Sequence, residues 1–192
     1  AGCILYDIPI GCEIGNGSCD FDYNFFRSRN IHVPEGLSED FNDYIAYEYC
    51  KLKDNTFIVT LFPTALGNDD EVEKILKNNG DIFYKKELKL NRNGSFNLVK
   101  QMYKGESWGG TIEDNFSGFN NKSNLCYKYD NNFRVYVVTF NSTDLKDIEK
   151  IKLDIRNIFN EGNHSVHIND TKEETIRLAK CLLNKNSVYF LN

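Results

Sequence analysis

The run Phe133-Arg134-Val135-Tyr136-Val137-Val138-Thr139-Phe140 constrains the fold of this chain more than any other stretch. A β-branched and aromatic run with so little interruption reads as a strand within a sheet. The next segment, from Thr143 to Phe159, keeps Leu145, Ile148, Ile151, Ile155 and Ile158 on one side of a helix. A strand followed by a one-sided helix points to layered α+β packing.

The neighbouring segments extend that pattern. Thr56–Phe62 is a short apolar run of the kind found in central strands, and Glu71–Asn79 is a helix that stops at Gly80. Asp81–Leu90 alternates partially, as a second strand does. Asn93–Tyr103 carries Phe96, Val99 and Met102 at helical spacing, and Lys104–Asn132 reads as a long irregular excursion. After the Glu161-Gly162-Asn163 turn, residues His164–Asp170 lead into a last helix from Asp170 or Thr171. The expected fold is an α+β sandwich, with helices covering an antiparallel sheet. Residues 1–55 differ, being rich in Cys, Asp, Tyr and Gly. Their one expected helix, from Ser38 through Tyr49, gathers Phe41, Tyr44, Ile45 and Tyr49 on one face. The expected organisation is an extension over 1–55 and a patterned domain over 56–192.

A chain of 192 residues with 41% hydrophobic content can bury a core, so disorder throughout is excluded. The net charge of -5 opposes a general affinity for nucleic acid, and no apolar run is long enough to span a membrane. Cys3, Cys12, Cys19, Cys50, Cys126 and Cys181 include no Cys-x-x-Cys pair, which argues against a zinc ribbon. Their scatter favours a reducing, cytoplasmic setting. The Asn-x-Ser triplets at Asn16, Asn93 and Asn115 are weak signs of secretion in so Asn-rich a chain.

Chemistry is concentrated near His164 and His167, just before the last helix. A helix start attracts anions, and histidine suits nucleophilic or acid–base work near neutral pH. Arg156 lies upstream and is suited to clamping a phosphate. The plainer alternative is that the histidines fill a turn and cap a helix. His164, His167 and Asp170 also offer three potential metal ligands, but not at the i, i+4 spacing of a helical metal pair, and no metal site is assigned. Gly17-Ser18-Cys19-Asp20-Phe21-Asp22 is similar to the metal-binding start of nucleotidyltransferases, without that family's intervening turn.

From Thr56 onward the chain resembles the nucleoside diphosphate kinase family. The resemblance is carried by Phe57–Ala65, by the helix and strand over Glu71–Leu90, by Tyr103–Trp108 and by the strand Val135–Phe140. Ile155-Arg156-Asn157-Ile158-Phe159, His164–Asp170 and the helix from Glu173 complete it. It implies a ferredoxin-like sheet and a histidine phosphorylated by a nucleoside triphosphate with Mg²⁺, then dephosphorylated by a diphosphate. His167 would be that histidine and Arg156 a phosphate-binding arginine. Asp170 would hold the helix start, with His164 and Asn169 beside it, and Tyr103 and Trp108 would lie near the base. The implied partners are nucleoside di- and triphosphates, and the implied assembly is a homo-oligomer.

Some positions depart from the family. Phe62 stands where the family has a phosphate-binding lysine, and Ile168-Asn169 replaces a Gly-Ser. His164 replaces an Asn, and a second phosphate arginine is lost between Ile151 and Ile155. Leu178 stands where a glutamate orients the histidine, with His164, Lys172 and Arg177 as candidate compensations. These departures open an alternative: a non-catalytic binding or interaction module of the same fold. A third expectation places metal-dependent nucleotidyl transfer on Asp20 and Asp22.

Overall fold

The computed structural model describes residues 37–127 and 131–192, with side chains from Asn42 onward. Cys3, Cys12, Cys19, Asp20 and Asp22, and the motif around them, lie outside the described residues. Contacts divide the chain into two units, Ala1–Ile45 and Ala46–Asn192. The boundary falls within helix α1 (Leu37–Leu52), three residues longer at its C-terminus than expected. Of the first unit, only the opening turns of α1 are described. The second unit already includes Ala46 and Cys50, both fully buried in its core.

Seven helices and a four-stranded antiparallel sheet make up the described α+β structure. After α1 come β1 (Thr56–Leu61), α2 (Asp69–Asn79), β2 (Gly80–Lys89) and α3 (Arg92–Met102). Then follow α4 (Ser117–Cys126), β3 (Asn132–Phe140), α5 (Leu145–Phe159), β4 (Val166–Ile168), α6 (Lys172–Leu182) and α7 (Lys185–Leu191). The strand order is β2-β3-β1-β4, with every neighbouring pair antiparallel. β1 and β2 therefore run the same way on either side of β3, joined through α2. β3 and β4 likewise run the same way on either side of β1, joined through α5.

Alternation along the strands separates two cores. Phe57, Val59 and Leu61 of β1 and Tyr136, Val138 and Phe140 of β3 face one side. There α2 contributes Val72 and Leu76, and α5 contributes Ile148, Ile151 and Ile155. Ile58, Val135 and Val137 face the other side, against Ala46 and Cys50, Leu98 and Met102 of α3, Cys126, and Leu178, Ala179 and Leu182 of α6.

Caps explain the helix starts. The side chains of Asn91, Asp144, Thr171 and Asn184 each accept a backbone N–H in the first turn of α3, α5, α6 and α7. α5 ends at Asn160, whose left-handed φ of 54° closes the last turn. α2 passes into β2 at Gly80, where a Cβ would strike the Thr139 carbonyl. Two elements depart from the sequence pattern. The excursion after Lys104 contains α4 and a short 3₁₀ turn at Ser107–Gly109, and His164–Asp170 contains the edge strand β4. Among the described residues no helix is long and apolar enough to cross a membrane.

Candidate functional site

β4 pairs with β1 through Val59–Ile168, Thr60–His167 and Leu61–Val166. Val166 and Ile168 enter the apolar core under α2 and α5, so alternation turns His167 to the opposite face, toward α6. There His167 Nε2 lies 3.1 Å from Oε1 of Glu174, and both side chains are buried. A carboxylate only accepts, so Nε2 carries the hydrogen, and Nδ1 keeps a lone pair whenever the ring is neutral. Nδ1 makes no hydrogen bond among the described residues. Burial raises the Glu174 carboxyl, but the hydrogen bond and charge of His167, the Asp170 N–H and the charge of Arg177 outweigh it and hold the group below its ordinary value.

The carboxylate that meets His167 is not at Leu178, where the resemblance places a glutamate. Leu178 is fully buried in the core, whereas Glu174 stands one helical turn earlier. Glu174 also completes the start of α6. Its backbone N–H reaches the Thr171 hydroxyl at 3.2 Å, and its Oε2 accepts from the Asp170 N–H at 3.1 Å. The helix start thus meets two of its donors internally, so the anion-attracting turn expected there is partly occupied by protein groups.

Aromatic rings extend the site outward. Tyr103 meets the His167 ring edge-on with centroids 5.0 Å apart, and Trp108 meets Tyr103 in the same manner at 5.0 Å. Phe119 of α4 supports Trp108 at 5.2 Å. Two glycines permit this close stacking: a Cβ at Gly109 would enter the Phe119 ring, and one at Gly118 would strike the Trp108 carbonyl. Burial pushes the Tyr103 hydroxyl well above its usual range, although the Arg156 guanidinium pulls it down.

A second cluster lies around His164. Lys122 of α4 donates to the Asn163 carbonyl and stands 3.3 Å from His164 Nδ1, while the Cys126 sulfur is 4.0 Å from the same nitrogen. An ammonium only donates, so this nitrogen accepts. Burial and the charge of Lys122 hold His164 below its usual value, which keeps the imidazole neutral. Burial also lowers Lys122, and the charge of Arg156 adds to that effect. Arg156, at the end of α5, acts electrostatically on both Tyr103 and Lys122, and its Nε is buried without a hydrogen-bond partner among the described residues.

The structure thus links His167 with Tyr103 and Trp108, and couples Arg156 and His164 through Lys122. Asn169 stands apart. Its Oδ1 accepts from the Ile58 N–H at 2.6 Å, and its Nδ2 donates to the Thr171 carbonyl and the Thr175 hydroxyl. It clasps β1 to the start of α6 and is fully buried. Asp170 is ion-paired with Lys152 at 2.5 Å. Lys172 is occupied by the Lys53 carbonyl, and Arg177 by the Gln101 carbonyl and, at 3.8 Å, Glu174. Lys122 had no signal of its own in the sequence, because it lies in a polar segment that looks irregular until α4 forms.

A groove of about 600 Å³ opens elsewhere, on the face that carries α2, and includes Asp69, Asp70, Glu71, Glu87 and Arg134 in its wall. Arg134 is already held by Asp69 at 3.0 Å and by the Ala65 carbonyl. The carboxylates in that wall oppose the binding of polyanions there. Among the described residues no group of three His, Cys, Asp or Glu side chains converges as a metal site. No family model matches the chain, and a search of curated proteins returns no match.

Proposed function

We propose that this protein is a divergent, nucleoside diphosphate kinase-like phosphotransferase on a ferredoxin-like sheet, with His167 as the phosphate acceptor. The carrying observation is the Glu174–His167 Nε2 contact, which leaves the opposite ring nitrogen as the nucleophile. In the first half-reaction Nδ1 attacks the terminal phosphorus of a nucleoside triphosphate. The N–P bond forms as the bridging P–O bond breaks, and the diphosphate leaves with that oxygen. In the second half-reaction a terminal oxygen of another diphosphate attacks the same phosphorus and regenerates His167. Glu174 orients the ring and stabilises the positive charge that develops on it, while Arg156 offsets charge on the phosphates.

Tyr103 and Trp108 are the proposed neighbours of the base. Mg²⁺ would arrive on the nucleotide's phosphates. His164 lines the phosphate side, while Asn169 and Asp170 act through the helix start. A reducing, cytoplasmic setting and a homo-oligomer complete this reading, the oligomer following the resembled family.

The test is incubation of the full chain with γ-labelled ATP and Mg²⁺. Acid-labile label on wild type, absent from His167→Ala, is the expected result; an unlabelled wild type overturns the reading. One observation favours the alternative of a non-catalytic nucleotide-binding module: His167 is only 7% exposed beneath Tyr103. Thermal stabilisation by ADP without any labelled histidine would select it.

A further inference from the structure

Among the described residues the buried Lys and Arg side chains each meet a counter-ion. Arg134 has Asp69 at 3.0 Å and Lys152 has Asp170 at 2.5 Å. Lys122 and Arg156 differ. Neither pairs with a carboxylate among the described residues, both are half-buried, and each lies within the other's field.

What surrounds Lys122 holds the ammonium without neutralising it. Its Nζ lies 5.8 Å from the centroid of Phe62 and 5.7 Å from that of Tyr103, within the range of cation–π attraction. The Asn163 carbonyl and His164 Nδ1 accept its protons, and both acceptors are neutral. Cys126 adds no charge at neutral pH, because burial pushes its thiol up to about 12. Two positive charges therefore share one partly desolvated region in which neither has a carboxylate partner among the described residues, with Glu161 acting on His164 and Glu174 and Asp170 on Tyr103; a bound anion would offset that cost.

We propose that Lys122 and Arg156 form a seat for linked phosphate groups. This rests on the phosphate-binding reading above, and it makes Lys122 a binding residue of that site. The rings of Phe62 and Tyr103 form the apolar wall that fixes the ammonium. His164 accepts from Lys122 and orients it, so it serves as a positioning residue rather than a nucleophile.

Calorimetry on the full chain at low salt tests the proposal with inorganic pyrophosphate and with ADP as probes. Wild type is expected to bind both, and Lys122→Met to weaken both by roughly tenfold to a hundredfold, the range for losing one charge-assisted hydrogen bond. Lys122→Arg, which keeps the charge, should recover most of that loss. Equal binding by wild type and Lys122→Met, or no binding of either probe by wild type, overturns the seat. If Lys122→Met does not fold, acetylation of wild-type lysines read by mass spectrometry replaces it. Pyrophosphate should then slow modification of Lys122 and leave Lys100 unaffected, and no protection of Lys122 overturns the seat. The outcome is separable from the phosphoryl-transfer reading. A Lys122-dependent pyrophosphate affinity without labelled histidine removes the transfer and keeps the seat. Labelled histidine with no Lys122 dependence of binding removes the seat alone.

Discussion

The two faces of the sheet are built to different rules. Under α2 and α5, β1 presents Phe57, Val59 and Leu61, β3 presents Tyr136, Val138 and Phe140, and the covering helices answer with Val72, Leu76, Ile148, Ile151 and Ile155. On the other face β1 presents Thr56, Ile58 and Thr60, and β4 presents His167 opposite Thr60. Asn169, Glu174 and Thr175 are buried nearby at the sheet's junction with α6. The first face is mainly apolar, and its buried cations, Arg134 and Lys152, are each paired with a carboxylate. The second keeps polar groups inside, where each requires a partner, and such groups carry either an anchoring task or chemistry.

The sharpest way to break this contrast is to damage the apolar face. Ile155 is fully buried there, and Ile155→Ala removes three carbons from a packed site. The expected loss is about 2–5 kcal/mol in chemical denaturation, with the His167 site unchanged in any population that stays folded. If labelling of His167 disappears while the variant remains fully folded, the two faces are not independent.

On the polar face Glu174→Gln tests the contact with His167. Glutamine keeps an acceptor for His167 but loses the charge, and stability should fall by about 1–2 kcal/mol at pH 7. The carboxyl of Glu174 lies below its ordinary value in the fold, so folding favours its ionised form. That contribution is complete above the unfolded value of about 4.3 and is lost as pH falls through the lower, folded value. Denaturation midpoints should therefore drop with acid more steeply for wild type than for Glu174→Gln. Parallel curves would show that Glu174 acts on His167 through shape alone.

Gly118→Ala addresses how the rings are mounted on this face. A Cβ at residue 118 meets the Trp108 carbonyl, which is backbone and has little room to yield. The cost should be about 1–3 kcal/mol. Because Trp108 is the chain's one tryptophan, its emission reports the displacement directly. An unshifted spectrum would mean that Trp108 is not held by α4.

How legible these faces were in the sequence follows the same division. β1, β3 and α5 were readable because their apolar periods are local and uninterrupted. β4 was not: its three residues become a strand only because the edge of β1, more than a hundred positions upstream, offers them partners. α4 was hidden by its composition, since Ser117–Cys126 is mostly Ser, Asn and Gly. Its buried positions Phe119, Ser123 and Cys126 have meaning only once Ser95 of α3 meets Ser123 at 3.0 Å. In the site, His167 and Arg156 were marked by residue type. The Glu174 contact and the placement of Lys122 were not, because both depend on how distant segments fold together. A carboxylate at a helix start is ordinarily read as a dipole effect, and only the turn after β4 aims Glu174 back at the histidine.

The smallest expected effect separates anchoring from chemistry on the polar face. The Thr60 hydroxyl is buried opposite His167 on β1 and has no hydrogen-bond partner among the described residues. Thr60→Val replaces it with a methyl group of similar shape, removing an unsatisfied group from the interior and keeping the β-branch that suits the strand. If the face is only a scaffold, stability should rise by up to about 1 kcal/mol and nothing else should change. If the hydroxyl serves the reaction at His167, the same gain should come with slower labelling by ATP. Thermal melts and labelling rates on one pair of proteins distinguish these outcomes. A loss of stability would contradict both, since it would require a partner for Thr60 that the fold does not provide.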